Sequence, residues 1–150
     1  MDPFLAFKIG ATGLRIQRLR MDIISSNLAN IDTTRTPQGG PYRRKDLVVA
    51  AVPVLKPVQT GEFGDILQAK LSQSLKAAVP VAVVSDPRPF KVVYDPSHPD
   101  ADKNGYVRLP NINPIEEMVN MISALRAYEA NVAAINNAKA MIQKAIEIGR

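Results

Sequence analysis

Apolar side chains recur every three or four positions at both ends of this 150-residue chain, whereas eleven of the twelve prolines lie between Pro37 and Pro114. Proline lacks a backbone N–H group and breaks helix interiors. The pattern therefore predicts two long helices, over 4–31 and 115–148, on either side of a proline-rich middle. The second helix would be about 50 Å long at about 1.5 Å per residue, so the helices have to pack on each other or on other subunits.

The predicted C-terminal helix carries one apolar stripe with the spacing of a coiled-coil seam. We expect this stripe to be buried in a helical core that subunits share. Its candidate interface positions are Met118, Ile122, Leu125, Tyr128, Val132 and Ile135, and it continues through Ala138, Met141 or Ile142, and Ala145.

The predicted N-terminal helix carries two apolar stripes, because positions 14 and 16 differ by about 200° on a helical projection. One stripe holds Leu5, Ile9, Ile16, Leu19 and Ile23, and the other holds Phe7, Leu14, Met21 and Leu28. A helix that is apolar on two faces is buried in a large protein or held between partners, and this chain is too short for the first possibility. We favour self-assembly. The alternative is an antiparallel hairpin of the two helices whose second stripe rests on the middle region.

The middle region is predicted to be β-rich, which makes the fold class α+β with long terminal helices packed as a coiled-coil-like core. Short apolar runs bounded by turn residues indicate strands. The four candidate strands are 47–52, 81–84, 90–94 and 106–109, and the segment 68–78 fits either a short helix or an irregular crossing. We divide the chain into an N-terminal helix and basic loop (1–45), a β-rich middle (46–110) and a C-terminal helix (111–150).

The net charge of +5 lies entirely in the first 45 residues, which hold eight Lys or Arg against three Asp. A nucleic-acid-binding helical module is therefore the alternative function, since an excess of basic side chains gives affinity for nucleic acid through contacts with phosphates. Against it, Arg15, Arg18 and Arg20 do not share one helical face, and no stacking aromatic residues accompany them. We expect the loop arginines Arg43 and Arg44 to make polar contacts between subunits instead.

Composition and motifs give little support to catalysis or metal binding. The chain has no cysteine and a single histidine, His98, which lies between prolines without metal-spaced partners. Asp100, Asp102 and Asn104 fit the first half of a calcium loop, but the twelfth position is an asparagine where a bidentate glutamate is needed. The simpler interpretation is a hairpin turn with Asn104-Gly105 at its tip. We expect no catalytic residue, cofactor, metal or membrane span, and no cleaved signal peptide.

Several motifs in both halves of the chain resemble one family. The Asn-Leu-Ala-Asn element (27–30), which includes the candidate interface residues Asn27, Leu28 and Asn30, is similar to the N-terminal signature of bacterial flagellar basal-body rod proteins. The Gly-Gly-Pro-Tyr-Arg-Arg-Lys run (39–45) and the Asp-Pro-Ser-His-Pro-Asp-Ala-Asp run (95–102) more narrowly resemble the proximal-rod FlgC family. The Arg-Ala-Tyr-Glu-Ala-Asn run (126–131) agrees with it, whereas 46–90 matches weakly.

This resemblance implies a structural subunit of the proximal rod, the shaft that carries motor torque outward. It implies partners that are other rod proteins and further copies of the chain, together with the basal-body base and the export apparatus. It also implies a location in the flagellar basal body, where the rod crosses the periplasm. The terminal helices would form the inner part of the rod, and the middle would face outward.

Overall fold

The computed structural model describes residues 3–54 and 75–149, and within them the fold is α+β, as predicted. Helix α1 spans Pro3–Ala29, and helix α2 spans Pro114–Ile148. Both predicted helices are therefore confirmed. The strands between them are β1 (Lys45–Pro53), β2 (Lys76–Ser85), β3 (Lys91–Tyr94) and β4 (Tyr106–Leu109).

The strands form two small sheets, in which β1 pairs with β2 and β3 pairs with β4. Strands β3 and β4 are antiparallel, with a register that runs from Lys91 opposite Leu109 to Tyr94 opposite Tyr106. All four predicted strands are present. Of the undecided segment 68–78, residues 68–74 lie outside the described residues, and the last three residues belong to β2.

Side-chain caps determine where the two long helices end and begin. The Asn30 side chain donates a hydrogen bond to the carbonyl of Ser26 (2.8 Å) and accepts one from the Thr33 hydroxyl (3.2 Å), just after α1 ends. Helix α2 begins with a proline at its first position, and the Asn113 side chain accepts a hydrogen bond from the N–H of Ile115 (3.1 Å). Both arrangements satisfy backbone or side-chain groups that a helix end leaves without partners.

The loop between β3 and β4 differs from the predicted tight turn. Chain direction reverses over the whole stretch 95–105, and Asn104-Gly105 lies at its end, directly before β4. Gly105 has a φ of +80°, and a Cβ atom there would lie 2.9 Å from a ring carbon of Tyr94. The Asp102 carboxylate accepts hydrogen bonds from the N–H groups of Tyr106 (3.1 Å) and Asn104 (2.8 Å), which hold its pKa below the ordinary value.

The chain divides into two compact units, each of which includes part of both helices. The first unit comprises the described parts of Met1–Arg18, Val49–Val81 and Leu125–Arg150, and the second comprises Leu19–Val48 and Ala82–Ala124. In the first unit the helices approach closely at two glycines. A Cβ atom on Gly10 would lie 2.7 Å from Cγ1 of Ile135, and one on Gly13 would lie 3.0 Å from the Asn131 side chain.

The buried positions of α2 carry small or polar side chains. Glu117, Ala124 and Ala138 are its buried residues among those described, and they are spaced by seven and fourteen positions. The large apolar side chains at the start of α2 lie on other faces. Ile115, Met118, Val119, Ile122 and Leu125 are all exposed in the single chain. Within the described residues, no helix is both long and apolar enough to cross a membrane.

Candidate functional site

A buried polar cluster in the second unit joins the end of α1, the start of β1 and the first turn of α2. Its centre is Asn27, whose exposed fraction is 1%. The Asn27 amide nitrogen donates hydrogen bonds to the Lys45 carbonyl (2.9 Å) and to Oε2 of Glu117 (3.1 Å). Its oxygen accepts hydrogen bonds from the Tyr42 hydroxyl (3.1 Å) and from the Lys45 N–H (2.9 Å). The side chain thus uses both of its donors and accepts two hydrogen bonds, so its polar atoms are satisfied despite burial.

The second part of the cluster is a buried ion pair between Arg44 and Glu117. Nε and a terminal nitrogen of Arg44 lie 2.8 and 2.7 Å from Oε1 of Glu117, and the Arg44 side chain is 13% exposed. Asp46 lies farther away, 3.6 Å from Arg44. Burial opposes the charge of the Arg44 guanidinium, but the hydrogen bond and the negative charge of Glu117 outweigh burial and raise the pKa of Arg44.

Local sequence explains why these side chains meet. Asn27 lies in the last turn of α1, and the backbone of the following loop returns through a hydrogen bond from the Tyr42 N–H to the Thr33 carbonyl (3.0 Å). This return places Arg44 and Lys45 next to Asn27. Glu117 lies in the first turn of α2, which Asn113 and Pro114 begin. We call Asn27, Tyr42, Arg44, Lys45 and Glu117 the Asn27 cluster.

The Asn27 cluster joins separate parts of the chain, and its polar groups are already paired with each other and not free to bind a substrate. Its carboxylate is paired with Arg44, and its amide is fully hydrogen-bonded. A cleft of about 230 Å³ lies beside it, with Arg20, Asn120 and Ser123 in its wall. Within the described residues, no group of three or more His, Asp or Glu side chains is placed to hold a metal ion. The arrangement holds the end of α1, the start of β1 and the first turn of α2 together.

The predicted interface residues are distributed over several environments in the single chain. Ile16 and Asn27 are buried, whereas Leu5, Ile9, Leu14, Met21, Ile23, Leu28 and Asn30 are half-buried. Tyr128, Val132 and Ile135 are half-buried, whereas Met118, Ile122 and Leu125 are exposed. Arg43 is exposed and Arg44 is half-buried in the Asn27 cluster. Their roles between subunits remain predictions.

Sequence reasoning missed two members of the cluster. It did not single out Glu117, and it included Tyr42 only within the motif at 39–45. The spacing of Glu117, Ala124 and Ala138 contained a signal, since the three share one face of a heptad. That signal is weak in a sequence because the face is neither large nor consistently apolar.

Two family models match the chain at its ends. The model described as "Flagella basal body rod protein" matches residues 7–35, which contain most of α1 and its exit. The model described as "Flagellar basal body rod FlgEFG protein C-terminal" matches residues 103–148, which contain β4 and α2. Together with the two long terminal helices and the Asn27 cluster, which joins the end of α1 to the start of α2, these matches define the class: a flagellar basal-body rod protein.

Curated relatives define the family within this class. The chain is 47% identical to the flagellar basal-body rod protein FlgC of Borreliella burgdorferi, over 99% of this chain and 98% of the relative. It is 44% identical to FlgC of Bacillus subtilis over the full length of both, and 35% identical to FlgC of Salmonella typhimurium over 96% of each. The chain therefore belongs to the FlgC family of flagellar basal-body rod proteins. The nucleic-acid alternative receives no support from these comparisons.

Proposed function

We propose that this chain is a structural subunit of the proximal rod and transmits motor torque by packing against copies of itself and against related rod proteins. It contributes surfaces and stiffness, and no catalytic step is part of the proposal. In this proposal the basal-body base and the export apparatus are further partners. In this proposal the chain lies in the rod, where the rod crosses the periplasm.

The observation that carries this proposal is the exposed apolar face at the start of α2. Met118 and Ile122 are each 52% exposed, and Ile115 and Val119 lie beside them, exposed to a similar or greater degree. Large contiguous apolar patches on a chain mark interaction surfaces, because leaving them in water costs roughly 25 cal/mol per Å². Neighbouring subunits would remove this face from water.

The buried face of the same helix also supports an assembly role for its exposed apolar face. Glu117 and Ala124 are buried, and Glu117 is held by the Asn27 cluster. Because small or polar residues face inward there, the large apolar side chains at 115–125 remain available for other chains. In this proposal residues 1–45 and 111–150 are the axial segments, and residues 46–110 are the part that faces outward.

The double substitution Met118→Asp with Ile122→Asp tests the proposal in a motile strain whose own copy of this gene is deleted. Both positions are exposed, so the variant should keep the helical circular-dichroism spectrum of the unmodified chain while losing swimming and rod assembly. Asn136→Asp with Asn137→Asp, at exposed polar positions of α2, is the matched control and should swim. Normal rods in the apolar-face variant would contradict the proposal.

A second double substitution, Leu125→Asp with Val132→Asp, tests the predicted stripe farther along α2. Leu125 is exposed and Val132 is half-buried, so this variant combines loss of an assembly surface with some loss of packing. We expect it to abolish incorporation into rods. Full swimming with normal rods would contradict the burial of this stripe in the assembly.

A further inference from the structure

A basic groove lies in the second unit, next to the loop that follows α1. It has a volume of about 860 Å³, far more than a single bound ion needs. Four cationic side chains line it, Arg35, Arg43, Lys45 and Arg108, and none of its described lining residues is acidic. Arg35, Arg43 and Lys45 belong to the segment 35–45 and Arg108 belongs to β4, so two separate parts of the chain supply the positive charge.

We propose that this groove is a docking site for an extended, carboxylate-rich segment of a partner protein. Arginine presents a planar fork of donors that matches a carboxylate, and several cations spread along a groove favour several carboxylates over one. The inference rests on the proposed function only in that rod assembly brings a partner chain to this loop.

Carboxylates of the same chain neutralise the groove only in part. The Asp100 carboxylate lies 4.0 Å from Arg35 and accepts a hydrogen bond from the Thr34 hydroxyl (2.7 Å). Asp102 is close enough to Arg108 for that cation to contribute to its lowered pKa, after the hydrogen bonds from the Tyr106 and Asn104 N–H groups. Arg43 and Lys45 instead lie over aromatic rings and keep their positive charge available.

The groove is also formed before any partner arrives. The N–H of Thr36 donates to the Gly40 carbonyl, and the N–H of Gly39 donates to the Thr36 carbonyl, both at 2.9 Å. Gly39 and Gly40 have φ values of +87° and +76°, conformations that glycine adopts without strain. This closed turn stiffens one rim, so a ligand does not have to order it on binding.

The aromatic residues of the groove favour a peptide over a nucleic acid. The Arg43 guanidinium lies 4.4 Å from the centre of the Phe90 ring, and the Lys45 ammonium lies 5.6 Å from the centre of the Tyr42 ring. The Tyr42 hydroxyl is bound to Asn27. Proteins that bind single strands stack bases on exposed ring faces, and here cations of the chain itself cover one face of each ring.

Fluorescence anisotropy of the purified full chain with a fluorescein-labelled peptide of ten alternating Glu and Gly residues tests the inference. We expect saturable binding in 50 mM NaCl that weakens as salt is added. Arg35→Glu with Arg108→Glu should weaken binding at least tenfold. Arg15→Glu with Arg18→Glu makes the same change in net charge outside the groove and should alter it less than twofold.

Three results would overturn the inference: no binding of the peptide, equal weakening by both pairs of substitutions, or tighter groove-dependent binding of a labelled ten-nucleotide oligothymidine. The first would show that the chain does not bind carboxylates, the second that binding follows net charge and does not involve the groove, and the third would assign the groove to nucleic acid. None of them bears on the apolar face of α2, so this inference and the proposed function can fail separately.

Discussion

Asn27 at the end of α1 donates a hydrogen bond of 3.1 Å to Glu117 in the first turn of α2, ninety positions farther along the chain. Both side chains are 99% removed from solvent. The bond joins the Asn-Leu-Ala-Asn element to the start of the C-terminal helix, and Arg44 completes the join from the intervening loop. A motif that looks local in the sequence therefore has a long-range structural role.

Replacement of Asn27 by alanine should destabilise the chain by about 2–4 kcal/mol, because buried hydrogen-bonding groups that lose their partner cost about 1–3 kcal/mol each. The groups that lose a hydrogen bond to Asn27 are the N–H and carbonyl of Lys45 and one oxygen of Glu117. The Tyr42 hydroxyl also loses its bond to Asn27 but keeps the Ser26 hydroxyl at 3.2 Å. Urea unfolding followed by circular dichroism measures the loss. Asn137→Ala, at an exposed position of α2, is the control, and equal stability of the two variants would contradict the role of Asn27.

Glu117→Gln should lower the free energy of unfolding by about 3 kcal/mol, since it leaves the guanidinium of Arg44 with no buried counter-charge. The neighbouring Glu116→Gln makes the same chemical change at an exposed site and should cost less than about 0.5 kcal/mol. Thermal and urea unfolding of both variants give the comparison. If the two variants have the same free energy of unfolding, the Arg44–Glu117 pair does not stabilise the chain.

Gly10→Ala should destabilise the chain by about 1 kcal/mol, although alanine favours helix by about 1 kcal/mol. The added Cβ atom would lie 2.7 Å from Cγ1 of Ile135, closer than packed carbon atoms approach. Because Ile135→Ala removes the opposing carbon, the double variant should be more stable than the sum of the single effects predicts. Gly149→Ala, whose Cβ would meet no atom closer than 3.6 Å, should show no loss.

The loop before β4 should open as the pH falls below about 4. Hydrogen bonds from the N–H groups of Tyr106 and Asn104 hold the pKa of Asp102 below its unfolded value, so the ionised form stabilises the loop. That stabilisation is present above the unfolded pKa and is lost as the pH falls through the folded pKa. Amide exchange at Asn104 and Tyr106 between pH 5 and pH 2 measures the opening.

The substitution Asp102→Asn provides the control for this pH dependence. Asparagine keeps a side-chain oxygen that can accept from the same N–H groups but has no carboxyl group to titrate. Exchange at Asn104, corrected for its intrinsic pH dependence, should then vary little over the same range. Asp95, whose pKa is lowered by hydrogen bonds from Ser97, titrates at the other end of the loop and is unchanged in this variant. Protection of wild-type Asn104 that is independent of pH would refute the prediction.

The sequence predicted the helices and strands because their signals are local. Proline restricts its own neighbourhood, and an apolar period of three to four residues indicates a helix wherever it occurs. Pro114, the last proline, indicated the start of α2 for the same reason, since proline suits the first position of a helix. The family also followed from contiguous motifs, including those at 27–30 and 39–45.

Only the tertiary structure determines which face of α2 is buried in the single chain. The apolar stripe through Met118 and Ile122 predicted burial between subunits, whereas the single chain itself buries Glu117 and Ala124 and leaves Met118 and Ile122 exposed. Glu117 can be buried only because Asn27 and Arg44 arrive from distant parts of the chain and satisfy its charge. No local pattern contains that information, because the cost of burying a carboxylate is offset by partners that only the folded chain brings within hydrogen-bonding distance.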